Sequence, residues 1–230
     1  MPEWIPTARI RSRRASSRAE QRWINAPLVN DELALLWMAN MGCIDMNAWY
    51  SRVDKLDRPD FVLFDLDPSP DVGFEETVQV ALHVKEALDA LGLVSFAKTS
   101  SADGMHVLVP IERRHTYDDT RRFAEIVAGA IARSHPKLAT TQWSKAKRRG
   151  VLIDANQNGE GKTIASVVLG AAAARRAGLD AAALGRGEAV LDPAQFTMEV
   201  VQRRVEQHGD LFEGVLTTRQ RLNDALQNLA

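Results

Sequence analysis

Four apolar residues, Phe61-Val62-Leu63-Phe64, run straight into Asp65-Leu66-Asp67-Pro68. A run of that length and composition reads as a buried strand. Side chains alternate along a strand, so Asp65 and Asp67 share one face while Leu66 lies on the other. Pro68 has no amide hydrogen to continue a ladder and stops it. The two carboxylates then stand about 7 Å apart on one face, where they repel each other. A divalent cation between them relieves that repulsion, and hard divalent ions take oxygen ligands of this kind. Taken alone, the pair reads equally well as two solvated acids at a strand end.

The surrounding pattern limits the fold. Phe74 to Leu91 reads as a helix, with Val78, Leu82, Lys85 and Leu88 near one face and Gly92 at its end. Val94 to Lys98 is a strand, Thr99 to Gly104 a turn, and Met105 to Ile111 a returning strand. Tyr117 to Ser134 is a helix capped by Thr116, with Phe123, Ile126, Val127 and Ile131 turned inward. Val151 to Ala155 is a further strand. The order β-α-β-β-α-β predicts an α+β fold: an RNA-recognition-motif-like antiparallel sheet with flanking helices on one face. The other face is left for a site, and the two acids are expected there.

Two more segments carry chemistry. In Lys98 to Val109, KTSSADGMHVLV, Gly104 permits a tight return and brings Ser100, Ser101 and His106 to one end of a hairpin. A hydroxyl and an imidazole so placed suit a phosphate; by itself, the segment reads as a polar hairpin with a hydrogen-bonded histidine. In Ser144 to Asn158, Lys145, Lys147, Arg148 and Arg149 precede the apolar run Val151-Leu152-Ile153, which again ends in an acid, Asp154. The cations suit phosphates, and Asn156, Gln157 and Asn158 can all meet polar ligand groups. Two strands thus deliver Asp65, Asp67 and Asp154 toward one place, with His106 on a third and the basic cluster nearby. With two divalent ions, such a set forms the clamp used for in-line phosphoryl or nucleotidyl transfer, which neutralises the attacking and leaving oxygens.

Elsewhere the chain is less specific. Met1 to Asn30 carries Arg9, Arg11, Arg13, Arg14, Arg18 and Arg22 against only Glu3 and Glu20, a solvated flank or a contact to a phosphate backbone. Arg9 to Arg11 alternates like an edge strand. Asp31 to Met41 reads as a helix with Trp37 in the core, and Ile44 to Tyr50 as a short extended segment. The net charge is −1, so bulk charge names no partner. The single cysteine, Cys43, excludes an internal disulfide and reads as buried filler. No signal peptide or membrane-length apolar run is visible, and the expected location is the cytoplasm.

The three motifs together resemble those of the archaeo-eukaryotic primase superfamily: Asp65-Leu66-Asp67 after an apolar strand, Thr99-Ser100 with Gly104-Met105-His106-Val107, and Val151-Leu152-Ile153-Asp154 with Asn156-Gln157-Asn158. The chain is most similar to the polymerase domain of bacterial DNA ligase D, including its stand-alone relatives. Leu36 to Asn40, Trp49 to Arg52 and Leu191 to Pro193 with Phe196-Thr197 belong to the same resemblance. It implies a primase-polymerase that adds NTPs or dNTPs to DNA ends in non-homologous end joining, with two manganese (or magnesium) ions. Asp65, Asp67 and Asp154 would be the catalytic metal ligands. Ser100, His106 and Gln157 would bind nucleotide, and Lys145, Lys147 and Arg148 would face DNA or triphosphate. DNA with 5′-phosphate ends, a DNA ligase and a Ku-type end-binding protein are the implied partners, with no membrane.

The resemblance also divides the chain. Residues 1–58 read as the remnant of an N-terminal α/β module lacking the family's first segment, 59–167 as the catalytic core, and 191–230 as a helical tail with helices at Phe196 to Gln207 and Arg219 to Leu229. Between them, residues 168–190 are atypical. Where the family has Tyr-Ser-Val-Arg, this chain has an Ala-, Gly- and Arg-rich window that reads as a frameshift, or alternatively as a genuine Ala-rich helix. Asn47 stands where many relatives have His and is given no catalytic role. Two other functions are weighed: a non-catalytic DNA- or nucleotide-binding remnant of the same fold, and a haloacid-dehalogenase-type phosphohydrolase. The second also begins with Asp-x-Asp, but it wants Thr or Val where this chain has Ser69, and a Rossmann-like order of elements.

Overall fold

The computed structural model describes residues 1–11, 23–43, 46–100, 104–165, 198–222 and 225. Its centre is β4 (Phe61–Pro68), the second-motif hairpin is β5 (Phe96–Thr99) with β6 (Met105–Pro110), and the third apolar run is β8 (Val151–Asp154). A two-residue strand, β7 (Ala139–Thr140), completes a five-stranded sheet in the order β5-β6-β4-β8-β7. β4 runs antiparallel to both neighbours, β6 and β8, and β5 runs antiparallel to β6. Only β7 joins in parallel, along β8. This is the β-α-β-β-α-β order expected from the sequence, with β7 added.

Alternation divides the sheet into two faces. Val62, Phe64 and Leu66 of β4, with Met105, Val107 and Val109 of β6 and Val151 and Ile153 of β8, point to one side. There they meet α2 (Phe74–Ala90) and α3 (Tyr117–Ser134) through Val80, Ala81, Val84, Leu88, Phe123, Val127 and Ile131. Lys85, read from the sequence as inward, instead pairs with Asp89 on the outer face of α2, and Val84 takes the inner position. α3 begins as expected: Thr116 Oγ1 accepts from the Asp119 amide at 3.1 Å, and Asp119 Oδ2 accepts from the Thr116 amide at 2.8 Å.

The opposite face is apolar only near the start of β4. Leu63 and Leu108 pack there with Tyr50, Tyr117, Ile164 and Val215. Ile164 comes from a small ribbon formed by β3 (Asn47–Trp49) and β9 (Thr163–Ala165), and Tyr50 directly follows β3. A second ribbon, β1 (Thr7–Arg11) with β2 (Trp23–Pro27), bears out the strand reading of Arg9 to Arg11. α1 (Glu32–Asn40) forms with Asp31 as its cap, but buries only Ala34. Trp37, placed in the core from sequence, is half-buried, and so is Cys43.

The C-terminal part packs where β5 begins and β6 ends. α4 (Met198–His208) matches the expected helix, and α5 (Glu213–Thr217) follows it. A side chain on Gly214 would run into the ring of Phe96. Gln220 accepts from the Val94 amide at 2.7 Å and donates to the Val94 and Pro110 carbonyls at 2.9 and 3.0 Å. The expected Arg219 to Leu229 helix lies mostly outside the described residues, and the 168–190 window, with both of its readings, lies wholly outside them. Among the described residues no helix is long and apolar enough to cross a membrane.

Asn158 fixes how β4 leaves β8. The ladder between them ends at Asp65 opposite Asp154. Beyond it, the Asn158 side chain takes the place of a strand: its Oδ1 accepts from the Leu63 amide at 2.8 Å and its Nδ2 donates to the Leu63 carbonyl at 2.7 Å. Asn158 is fully buried, so truncating it strands two backbone groups away from water. Asn158→Ala is expected to lower unfolding free energy by about 3 kcal/mol in urea titrations. Asn156→Ala, which removes exposed side-chain contacts to Arg121 and Asp154 but leaves no buried backbone group unpaired, should change it by about 0.5 kcal/mol or less.

Candidate active site

Register sets the site. Lys98 lies opposite His106, His106 opposite Asp65, and Asp65 opposite Asp154. Directly opposed residues on neighbouring strands present their side chains to the same face. Four charged or polar side chains therefore form one row across four strands, one step beyond the apolar row of Leu108 and Leu63. Asp67 is two residues further along β4 on the same face, opposite Leu152. The site lies at the boundary where this face changes from apolar to charged.

Three of the four residues in the row are buried: Lys98 is 2% exposed, His106 8% and Asp154 2%. His106 Nε2 stands 3.3 Å from Asp65 Oδ1, and its Nδ1 is buried without a partner. Burial holds the imidazole below its ordinary pKa against the opposing pull of Asp65, and the Lys98 charge adds to the lowering, so the neutral ring is favoured. Lys98 Nζ donates to the Thr99 carbonyl at 3.2 Å. Burial brings its ammonium down to about 8, and Asp65 partly offsets this. Asp154 Oδ1 accepts from the Asn156 amide at 2.8 Å. Burial raises its pKa, the Asn156 amide opposes that, and Asp65 adds to it.

Asp67 shows the mutual repulsion most clearly. Its carboxyl is pushed up to about 6, first by burial and then by Asp65; Arg148 pulls the other way, Asp154 adds to the rise, and Lys145 opposes it. Arg148 is itself buried, whereas Lys145 and Lys147 are exposed. Arg148 and Lys145 therefore lie within the field of the acids. The structure relates Lys147 to the site only through their common loop.

The hairpin end is shaped by Gly104. A Cβ there would run into Ser100 Oγ and lie 2.9 Å from the Leu66 carbonyl. The Ser100 amide donates to the Gly104 carbonyl at 2.9 Å, which places Ser100 beside the β4 segment that carries Asp67. Ser101 lies outside the described residues. Gln157 is half-buried on the turn after Asp154. Its neighbours do not match the sequence expectation of three ligand-reading amides. Asn156 accepts from Arg121 Nη2 at 2.9 Å, and Asn158 is committed to Leu63.

Lys98 is the site residue that sequence reading missed. A lysine inside a short strand, two residues before Ser100 and so on the same face, was the available signal.

Among the described residues, no group of three or more His, Cys, Asp or Glu side chains is arranged to hold a metal ion. The chemistry of the donors nonetheless suits a hard divalent cation. Asp65 and Asp154 are directly opposed, Asp67 shares their face, and each pair repels. Oxygen ligands from Asp65, Asp67 and Asp154 would be the ones to hold such an ion.

With this geometry in view, comparison with known proteins decides the family. A family model described as "LigD, primase-polymerase domain" matches residues 1–212. The chain belongs to the LigD primase-polymerase domain family. It is 35% identical over 129 residues to the multifunctional non-homologous end joining protein LigD of Pseudomonas aeruginosa, covering 56% of this chain and 15% of that one. It is 31% identical over 186 residues to the bifunctional LigD of Bacillus subtilis, covering 79% of this chain and 30% of that one. The chain thus spans less than a third of those two relatives. The polymerase domain of Mycobacterium tuberculosis ligase D, solved in complex with DNA, superposes with a TM-score of 0.75 at 23% identity, covering 95% of this chain and 77% of that one. The fold is the archaeo-eukaryotic primase type, as expected. The antiparallel register also removes the phosphohydrolase alternative, which needs a parallel, Rossmann-like sheet.

The raised pKa of Asp67 has a measurable consequence. An acid whose folded pKa exceeds its unfolded value adds stability at low pH and loses it as pH rises through the folded pKa. In metal-free protein, Asp67→Asn should therefore melt above wild type at neutral pH. That advantage should vanish as pH falls through about 6 toward the ordinary carboxylate range. Thermal melts of both proteins across this range test it; a constant difference would contradict the burial and repulsion assigned to Asp67.

Proposed function

We propose that the chain is a metal-dependent nucleotidyltransferase that extends DNA ends with NTPs or dNTPs during non-homologous end joining. The observation that carries this reading is the row Lys98–His106–Asp65–Asp154, with Asp67 beside it, on the open face of the sheet. Few arrangements other than cation binding account for opposed carboxylates on a largely buried face. Manganese or magnesium at Asp65, Asp67 and Asp154 would supply charge neutralisation for the attacking hydroxyl and the departing pyrophosphate.

The chain's own residues then divide the work. Ser100 offers a hydroxyl beside the space that Gly104 leaves, and Lys98 brings positive charge to the same side of Asp65. Both suit the triphosphate of an incoming nucleotide. Neutral His106 has one ring hydrogen, and donating it from Nε2 to Asp65 keeps that carboxylate oriented from the hairpin side. Gln157, on the turn beyond Asp154, is placed to meet a polar group of the nucleotide. Arg148, Lys145 and Lys147 supply positive charge along the approach to Asp67, where a DNA backbone carries the complementary charge.

A second basic surface supports a DNA partner. On the β1–β2 ribbon, the Arg9 and Arg11 guanidiniums lie 5.0 and 5.8 Å from the Trp23 ring centre, and Trp23 is about half exposed. Arginine held against an exposed aromatic ring suits nucleic acid, offering charge to phosphates and a stacking surface to bases. The relatives named for end joining and the relative solved with DNA agree with this reading. DNA with 5′-phosphate ends is the expected substrate, and a DNA ligase and a Ku-type end-binding protein are the expected companions.

Primer extension tests the proposal. A labelled primer on a template with a 5′-phosphorylated end should be extended with manganese and nucleotides, and Asp65→Ala or Asp154→Ala should reduce the rate by about 100-fold or more. A DNA mobility shift without extension under any metal or nucleotide pool would instead establish the non-catalytic binding module.

A further inference from the structure

Tyr50 follows β3 and is held in place from both ends. Its carbonyl accepts from the Asp60 amide at 2.7 Å, immediately before β4 begins. Its ring packs on Phe61, with centroids 4.8 Å apart, and joins Leu63, Leu108, Ile164 and Val215 in the apolar cluster. Phe61, Leu63 and Asp65 alternate along one face of β4, so a ring lying over the first two directs its far end toward the third. Tyr50 is 1% exposed, and its hydroxyl has no hydrogen-bond partner. The chain has two tyrosines, and both belong to this cluster. The Tyr117 hydroxyl pairs with Ser51 Oγ at 2.7 Å, so only the Tyr50 hydroxyl is left unsatisfied.

A buried phenol without a partner costs stability, and a phenylalanine would fill the same space without that cost. Tyr50 lies on the sheet face that carries the two acids and within their field: burial holds its hydroxyl protonated, and the charges of Asp65, Tyr117 and Asp154 add to that effect in this order. It can therefore act as a donor and not as a charge.

We propose that Tyr50 is a positioning residue for the Asp65–Asp154 pair, donating its hydroxyl hydrogen to that pair when a divalent cation is bound. This rests on the metal-dependent reading above. Groups that orient metal ligands through one further hydrogen bond typically change metal affinity by 10–100-fold when removed.

The test uses the full chain and the metal alone. Mn2+ titrations followed by the paramagnetic resonance of the free ion should show about 10-fold weaker binding in Tyr50→Phe. The metal-free melting temperature of this variant should be equal to or above that of wild type. Tyr117→Phe, from the same cluster, should bind Mn2+ like wild type. On protein carrying 13Cζ-tyrosine, Mg2+ should shift the Tyr50 resonance and leave that of Tyr117, with Tyr117→Phe making the assignment. Wild-type Mn2+ affinity in Tyr50→Phe, or a Tyr50 resonance unmoved at saturating Mg2+, overturns the positioning role while leaving the metal reading intact. Failure of the wild-type chain to bind Mn2+ overturns both.

Discussion

Asp65 and Asp154 are placed opposite each other on adjacent strands, on a face where Asp154 is almost fully buried. Like charges so placed destabilise a sheet pair. Much of the surrounding structure can be understood as holding that unfavourable arrangement in place. The helix-covered face supplies the favourable side, with β4, β6 and β8 packed against α2 and α3. On the charged face, His106 stands against Asp65, and the Asn156 amide holds Asp154. Burial at the same row raises the Asp67 carboxyl and lowers the Lys98 ammonium, with Asp65 adding to the first shift and opposing the second.

Rigidity on either side of the row keeps it in register. Asn158 continues β8 with a side chain, so β4 keeps its backbone bonds while the chain turns away after Asp154. Gly104 lets the hairpin close over the end of β4 without a side chain between Ser100 and Leu66. Gln220 ties the C-terminal segment across the ends of β5 and β6. These bonds join residues far apart in sequence, and none of them requires a bound ligand. The row of side chains is thus held in place by the fold itself.

The legible part of this architecture was what period and punctuation encode. β4, the two long helices and the returning hairpin were visible because apolar alternation, Thr116 and Gly104 are local signals. Placing Asp65, Asp67 and Asp154 together followed from the order of elements and from family resemblance. What escaped depends on register, which pairs residues across distance. Lys98 becomes a site residue only once it stands opposite His106. Asn158 looked like a ligand-reading amide because nothing local reveals that it replaces a strand beside Leu63. α1, where Trp37 read as a core residue, buries only Ala34 and leaves Leu33, Leu35 and Leu36 exposed. β7 is too short for any periodic signal.

The central claim is that the opposed carboxylates form a cation site. Anomalous diffraction from crystals of the full chain soaked with manganese and a nucleoside triphosphate tests it most directly. The account predicts manganese density ligated by Asp65, Asp67 and Asp154, with the triphosphate toward Ser100 and Lys98. Triphosphate bound at the site with no manganese among these three carboxylates would contradict it.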